Sequence, residues 1–158
     1  MTMKKSWTST SPEQTLALGQ KMGEALRGAA GLIYMTGDLG AGKTKLTQGI
    51  VKGLGFDAEV TSPTFALIHE YGPESEVIHA DLYRLDSYEE LQEIGFEEYL
   101  DDDHLILCEW PDLLEDEGLE PIIRLDLRRV DGESEQARRI TMTSDDSALG
   151  ERMASIEI

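Results

Sequence analysis

The chain has 158 residues, 40% of them hydrophobic, and a formal net charge of −18 from 32 acidic against 14 basic side chains. That length suits a single domain, in which roughly 70% of the unfolded chain's surface is buried, and no apolar run approaches the roughly 20 residues that span a bilayer. So negative a field repels a phosphate backbone, which argues against direct, non-specific DNA or RNA binding and leaves room for a basic protein partner. The start MTMKKSWTSTSPEQ has no apolar stretch behind its lysines, so it does not read as a secretory signal. Cys108 is the only cysteine, so no intramolecular disulfide is available and a cytosolic location is the simplest reading.

In chain order, SPEQTLALGQKMGEAL opens a helix: Ser11 is a natural N-cap, Pro12 the first helical residue, and Gln14 stands where a capping box wants it. Leu18, Met22 and Leu26 recur at helical spacing and Gly28 stops the helix. Leu32–Met35 is a short apolar run between glycines, a buried strand. Leu46, Ile50, Val51 and Leu54 then line one face of a second helix that ends near Gly55. EVTSPTFALIHEYG and EVIHADLYRL are rich in β-branched and aromatic residues and read as strands, punctuated by Gly72-Pro73. SYEELQEIG is a short capped helix, HLILCEWP another buried strand, and IIRLDLRRV with ARRITMT a hairpin turned at DGESEQ. Strands alternate with helices early and pair locally later, so the expected class is α/β with a mixed sheet. The core is expected within about residues 11–143, with a loosely held end after about Ser144.

Between the first strand and the second helix lies GDLGAGKT, in which Gly37, Gly42, Lys43 and Thr44 match G-x-x-x-x-G-K-[ST] without a gap. Glycines let backbone N–H groups turn inward around phosphate oxygens, and the following helix presents its positive end. In this pattern Lys43 reaches the β and γ phosphates and the Thr44 hydroxyl ligates Mg²⁺. A chance match in a chain of this length has a probability below about 1% at average residue frequencies, so the loop reads as a nucleotide site.

A phosphate-bound Mg²⁺ takes few carboxylates and keeps several waters. Two acids end apolar runs that suit strands beside the first: Asp81 after VIHA, where His79 interrupts the apolar pattern, and Glu109 after LILC. One is expected to hold the metal while the other orients the attacking water, at the carboxyl ends of neighbouring strands. His79 is expected to be a hydrogen-bonded structural histidine, Arg84 to sit in an ion pair rather than to stabilise charge in phosphoryl transfer, and Asp101–Asp103 to form a solvated turn, because the run lacks the spacing and glycine of a calcium loop. Trp110 either shields the site or packs the core.

Taken together, GDLGAGKT at 37–44, SPTF at 62–65, HADLYRL at 79–85 and EWP at 109–111 resemble the TsaE (YjeE) family, the small bacterial ATPases of tRNA threonylcarbamoyladenosine synthesis, over roughly residues 11–143. The phosphate loop alone is shared by many families; its conjunction with the other three motifs is specific to this one. The resemblance implies an α/β, P-loop NTPase-like three-layer domain with a mixed parallel and antiparallel sheet. It implies ATP contacts from Asp38, Leu39, Gly40, Ala41, Gly42, Lys43 and Thr44, with Thr64 in a segment compared with a switch loop. Catalytic roles fall to Lys43, Asp81 and Glu109, and Mg²⁺ ligation to Thr44, Asp81 and Glu109. It further implies slow ATP hydrolysis in concert with the TsaB and TsaD proteins. TsaD transfers the threonylcarbamoyl group to adenosine 37, and the ATPase supports repeated turnovers without modifying tRNA, which it meets only through the complex. Lys45 departs from the family's usual threonine or small residue; the metal ligand is Thr44 in either case. Contacts to the base are expected from the N-terminal segment and tail, with Trp7 to Thr10 and Arg138 as candidates. The absence of Asn excludes an N-K-x-D guanine reader and mildly favours adenine. Two other readings use the same loop: a small-molecule kinase, for which no arginine-rich lid is visible, and a nucleotide-sensing module in which hydrolysis is incidental.

Overall fold

The computed structural model describes residues 2–38, 41–57, 60, 68–132 and 135–158. The apolar run that starts at Leu32 forms part of β2 (Gly31–Gly37). Leu32 and Tyr34 point into one core while Ile33 and Met35 point into the other. A strand covered on both faces needs no polar alternation, which is why this stretch reads as a continuous apolar run.

Before it come β1 (Met3–Ser9) and α1 (Pro12–Ala25); after it come α2 (Lys43–Gly53), β3 (Ile68–Tyr71), β4 (Val77–Asp81), α3 (Tyr88–Glu93), a 3-10 turn at Phe96–Tyr99, β5 (Leu105–Glu109), α4 (Asp112–Asp116), β6 (Ile123–Arg129), β7 (Arg138–Ser144) and α5 (Ser147–Ala154). The strands of the described residues form one sheet in the order β1-β7-β6-β2-β5-β4-β3. The pairs β4–β5, β5–β2 and β2–β6 are parallel, and β3, β7 and β1 add antiparallel margins. The class is therefore α/β with a mixed sheet. One core joins β2 and β6 to residues of α1, α2 and α5, among them Leu18, Met22, Ile50 and Met153. The other packs Tyr34, Ile78 and Ile106 against Leu91, Phe96 and Leu114. Helices on both faces make three layers.

The α1 start uses its predicted cap: the Ser11 hydroxyl accepts from the Gln14 N–H at 3.1 Å. Gln14 reaches one residue further back than a capping box requires, to the Thr10 N–H at 2.7 Å and its hydroxyl at 2.9 Å. Four helical glycines, which the sequence reading did not use, set the distance between α1 and α2. A Cβ on Gly19 would lie 2.5 Å from the Leu46 carbonyl oxygen, and one on Gly49 2.2 Å from that of Leu16. A Cβ on Gly23 would meet the Ile50 oxygen at 2.2 Å, and one on Gly53 the Gln20 oxygen at 2.0 Å. Each glycine costs a helix about 1 kcal/mol in propensity; here the return is backbone-to-backbone contact that locks the second helix in place.

Both ends differ from the sequence reading. The N-terminal segment forms β1 along the whole of β7. Trp7, a candidate for contacting the base, is instead 4% exposed in the core, with its indole N–H donating to the Ile156 carbonyl at 2.8 Å. Beyond Ser144, Asp146 caps α5 by accepting from the Leu149 N–H at 2.9 Å, and Leu149 and Met153 are buried. One buried apolar side chain in a seven-residue edge strand, Trp7, and two in a short helix, Leu149 and Met153, are too few to produce a visible period. The helix α4 was likewise not expected. Of the strand read over EVTSPTFALIHEYG, only Ile68–Tyr71 falls within the described residues as strand.

Candidate active site

Parallel strands end at the same edge of a sheet, and here three neighbouring ends carry the predicted chemistry. In the ladder Asp81 pairs with Glu109, and Glu109 with Met35, two residues before Gly37. The two acids therefore stand side by side where β2 turns into the phosphate loop. Gly37 has φ 136°, and a Cβ there would lie 2.0 Å from the Leu127 carbonyl oxygen. Only glycine lets the chain leave β2 this close to β6. The Asp38 N–H then bonds the same Leu127 carbonyl at 3.3 Å, and the Ala41 N–H bonds the Asp38 carbonyl at 3.1 Å. Gly42 enters α2 at φ 98° with no side-chain cap. The first-turn N–H groups are thus left to another acceptor, the arrangement that suits an anion.

Lys43 is 7% exposed. Its ammonium lies 4.5 Å from the centroid of the Trp110 ring, a cation–π contact. Trp110 itself adopts φ 57° immediately before Pro111, a conformation that costs a bulky residue roughly 1–3 kcal/mol. Tyr83, 60% exposed, stacks obliquely on the indole with centroids 4.9 Å apart.

Glu109 is 5% exposed and His79 fully buried. The His79 Nε2 and a Glu109 carboxylate oxygen are 2.6 Å apart. His79 Nδ1 has no partner among the described residues, and the Nε2–H donates to the Glu109 carboxylate. The histidine is hydrogen-bonded, as expected, and its partner is the site's own acid. Burial, opposed by the Tyr83 N–H that Asp81 accepts at 3.0 Å and aided by the charge of Glu109, pushes the Asp81 carboxyl above its ordinary value. Two carboxylates held this close repel, and a divalent cation relieves that repulsion.

Thr44 is half-buried in the first turn of α2. Leu39, Gly40 and Thr64, with the rest of SPTF, lie outside the described residues. Arg84 is exposed in the turn after β4, and no ion pair reaches it among the described residues. Arg138 donates to the backbone carbonyls of Glu135 and Ala137. Sequence reasoning missed a chain on the β6 side of the loop. Arg128 bonds Asp126 at 3.0 Å and Asp38 at 3.4 Å, and Thr36 donates to Asp126 at 2.7 Å. The alternation Asp126-x-Arg128 on one strand face was its only trace. A separate cavity of about 480 Å³ opens at the opposite strand ends, lined by Leu26, Phe56, Glu76 and Leu105, and shares none of these residues.

Among the described residues no group of three or more His, Cys, Asp and Glu side chains is placed to hold a metal. Two carboxylates and a threonine hydroxyl fit an octahedral ion that brings its own waters and phosphate oxygens better than one caged by protein. No helix among the described residues is long and apolar enough to cross a membrane.

A family model described as threonylcarbamoyl adenosine biosynthesis protein TsaE matches residues 9–140. The tRNA threonylcarbamoyladenosine biosynthesis protein TsaE of Bacillus subtilis is 34% identical over 139 residues, 87% of this chain and 84% of that protein. The protein of the same name from Streptomyces coelicolor is 35% identical over 146 residues, 89% of this chain and 95% of its own length. The Haemophilus influenzae TsaE is 43% identical over 100 residues, 60% of this chain and 63% of that protein. The crystal structure of Bacillus subtilis YdiB superposes with a TM-score of 0.72 at 29% identity, over 98% of this chain and 96% of that one. The fold is thus P-loop NTPase-like with a mixed sheet, and the chain belongs to the TsaE family of threonylcarbamoyl adenosine biosynthesis proteins.

Proposed function

We propose that this protein is a cytoplasmic, Mg²⁺-dependent ATPase that serves tRNA threonylcarbamoyladenosine formation together with TsaB and TsaD, without itself modifying tRNA. The observation that carries the reading is the pairing of Asp81 with Glu109 beside the uncapped start of α2, where Lys43 lies. An anion cradle, a cation and two acids at one sheet edge are the parts that phosphoryl transfer needs. The backbone amides of Gly42 to Thr44 would bind the phosphates, and Lys43 would offset charge developing on the β–γ bridge and the γ-phosphate. Thr44, Asp81 and Glu109 would hold Mg²⁺, which when bound supplies charge neutralisation at the phosphates. Glu109, oriented by His79, keeps lone pairs with which it would accept from a water and align it for attack. The lack of Asn supports ATP over GTP, and a net charge of −18 favours docking on protein rather than on tRNA. Calorimetric titration with Mg²⁺-ATP and Mg²⁺-GTP tests the site: saturable heat with ATP is expected, and no heat from either would end the reading. Pull-down with TsaB and TsaD, with and without an ATP analogue, tests the partnership.

A further inference from the structure

Lys43 is surrounded by charge of the opposite sign yet pairs with none of it. Its charge reaches Asp81, where it opposes the rise that burial causes, and Asp126, where it adds to the fall, but no ion pair within 4.0 Å joins it to any carboxylate among the described residues. Its ammonium rests instead on the indole of Trp110. Trp110 is held for this by its neighbours in sequence. Glu109 ends β5 in register with Asp81, Trp110 turns at φ 57°, and Pro111 caps α4. The turn aims the ring back across the sheet edge toward α2 and not along the strand. A buried ammonium left without such a seat has an obvious alternative, which is to collapse onto the nearest carboxylate.

We propose that Trp110 is a positioning residue that seats Lys43 before nucleotide arrives and keeps it from ion-pairing with Asp81 or Asp126. The proposal rests on the nucleotide reading above. Its consequence is that phosphate and metal meet a site whose cation and acids are already separate. Had they paired, that bond would have to break each time the nucleotide bound. The face of an aromatic ring is well suited to this role, because it attracts a cation without offering the directed lone pair that would compete with a phosphate oxygen. Tyr83, in contact with the indole at 4.9 Å, supports the ring from the loop that follows Asp81.

The contact is tested without nucleotide by NMR of the Lys43 side chain. The indole ring current should displace its ε-methylene protons upfield in the parent, less in Trp110→Phe and not at all in Trp110→Leu. Absence of displacement in the parent would overturn the proposal and leave the nucleotide reading intact. Kinetics test the consequence. Trp110→Leu should raise the KM for Mg²⁺-ATP about tenfold, the scale of a desolvated cation–π contact, with kcat changed less than about threefold, and Trp110→Phe should restore most of the loss. Equal losses in both variants, or a loss confined to kcat, would mean that the ring merely packs and would sink the proposal. Failure of the parent to bind Mg²⁺-ATP, with the ring-current displacement present, would instead sink the nucleotide reading alone.

Discussion

His79 and Glu109 form a buried hydrogen-bonded pair across two adjacent parallel strands, 2.6 Å apart, with the histidine on β4 and the acid at the end of β5. His79 is what breaks the apolar run before Asp81, so the irregularity in that strand is itself part of the site. Replacing His79 with Leu should lower ATP turnover about 10- to 100-fold, the usual cost of removing a group that orients a metal-site carboxylate. His79→Gln, which keeps a donor, should lose less. Steady-state hydrolysis by the two variants, with circular dichroism to confirm folding, checks the order.

Lys43→Ala should abolish hydrolysis while leaving the fold intact, because the residue is the first of α2 and its ammonium joins no ion pair among the described residues. Asp81→Asn and Glu109→Gln should each reduce turnover at least 100-fold and raise the Mg²⁺ concentration needed for half-maximal activity. Equal turnover by purified parent and Lys43→Ala would remove the lysine from the catalytic assignment.

The glycine contacts between α1 and α2 should be intolerant of a single methyl group. Gly49→Ala would place a carbon 2.2 Å from the Leu16 carbonyl oxygen, which is backbone and cannot swing aside. A loss of about 1–3 kcal/mol is expected for such overpacking, read as a lower denaturant midpoint. Because α2 carries Lys43 and Thr44, nucleotide affinity should fall with it. Gly28→Ala, with nothing within 4 Å of its Cβ but φ +84°, should cost only the backbone strain.

Asp126 makes stability depend on pH. Burial alone would raise its carboxyl, but hydrogen bonds from Arg128 and Thr36 outweigh it and hold it below the ordinary 3.8. A depressed folded-state value means that the contribution is present above about pH 4 and lost as pH falls through the folded value. Asp126→Asn should therefore destabilise the protein at pH 7 by about 0.5 kcal/mol, since a pair this exposed is screened. The difference from the parent should shrink below about pH 4. Thermal unfolding at pH 7, 5 and 3.5 measures it.

The site was more legible than the fold around it. Gly37 stands five residues before the run Gly42-Lys43-Thr44, so one short stretch of chain carries the whole spacing that reads as a phosphate loop. Asp81 and Glu109 end apolar runs, so each could be found singly. What sequence did not reveal was their pairing, because strand order is decided by long-range packing: β5 lies between β2 and β4, and only that order sets Asp81 opposite Glu109. The His79–Glu109 bond, the Lys43–Trp110 contact and the glycine interface of α1 with α2 join residues 30, 67 and about 30 positions apart, beyond the reach of any local pattern.

By itself the sequence determined the alternation of elements, the glycine-rich loop between β2 and α2 and the two acids, because these follow from local propensity and from residue types at fixed spacing. Only the tertiary structure decided that β1 and α5 are built into the fold, which strand neighbours which, and what each charged group in the site touches. Those outcomes depend on which surfaces can be buried against one another, and the packing of distant segments settles that where the local order of residues does not.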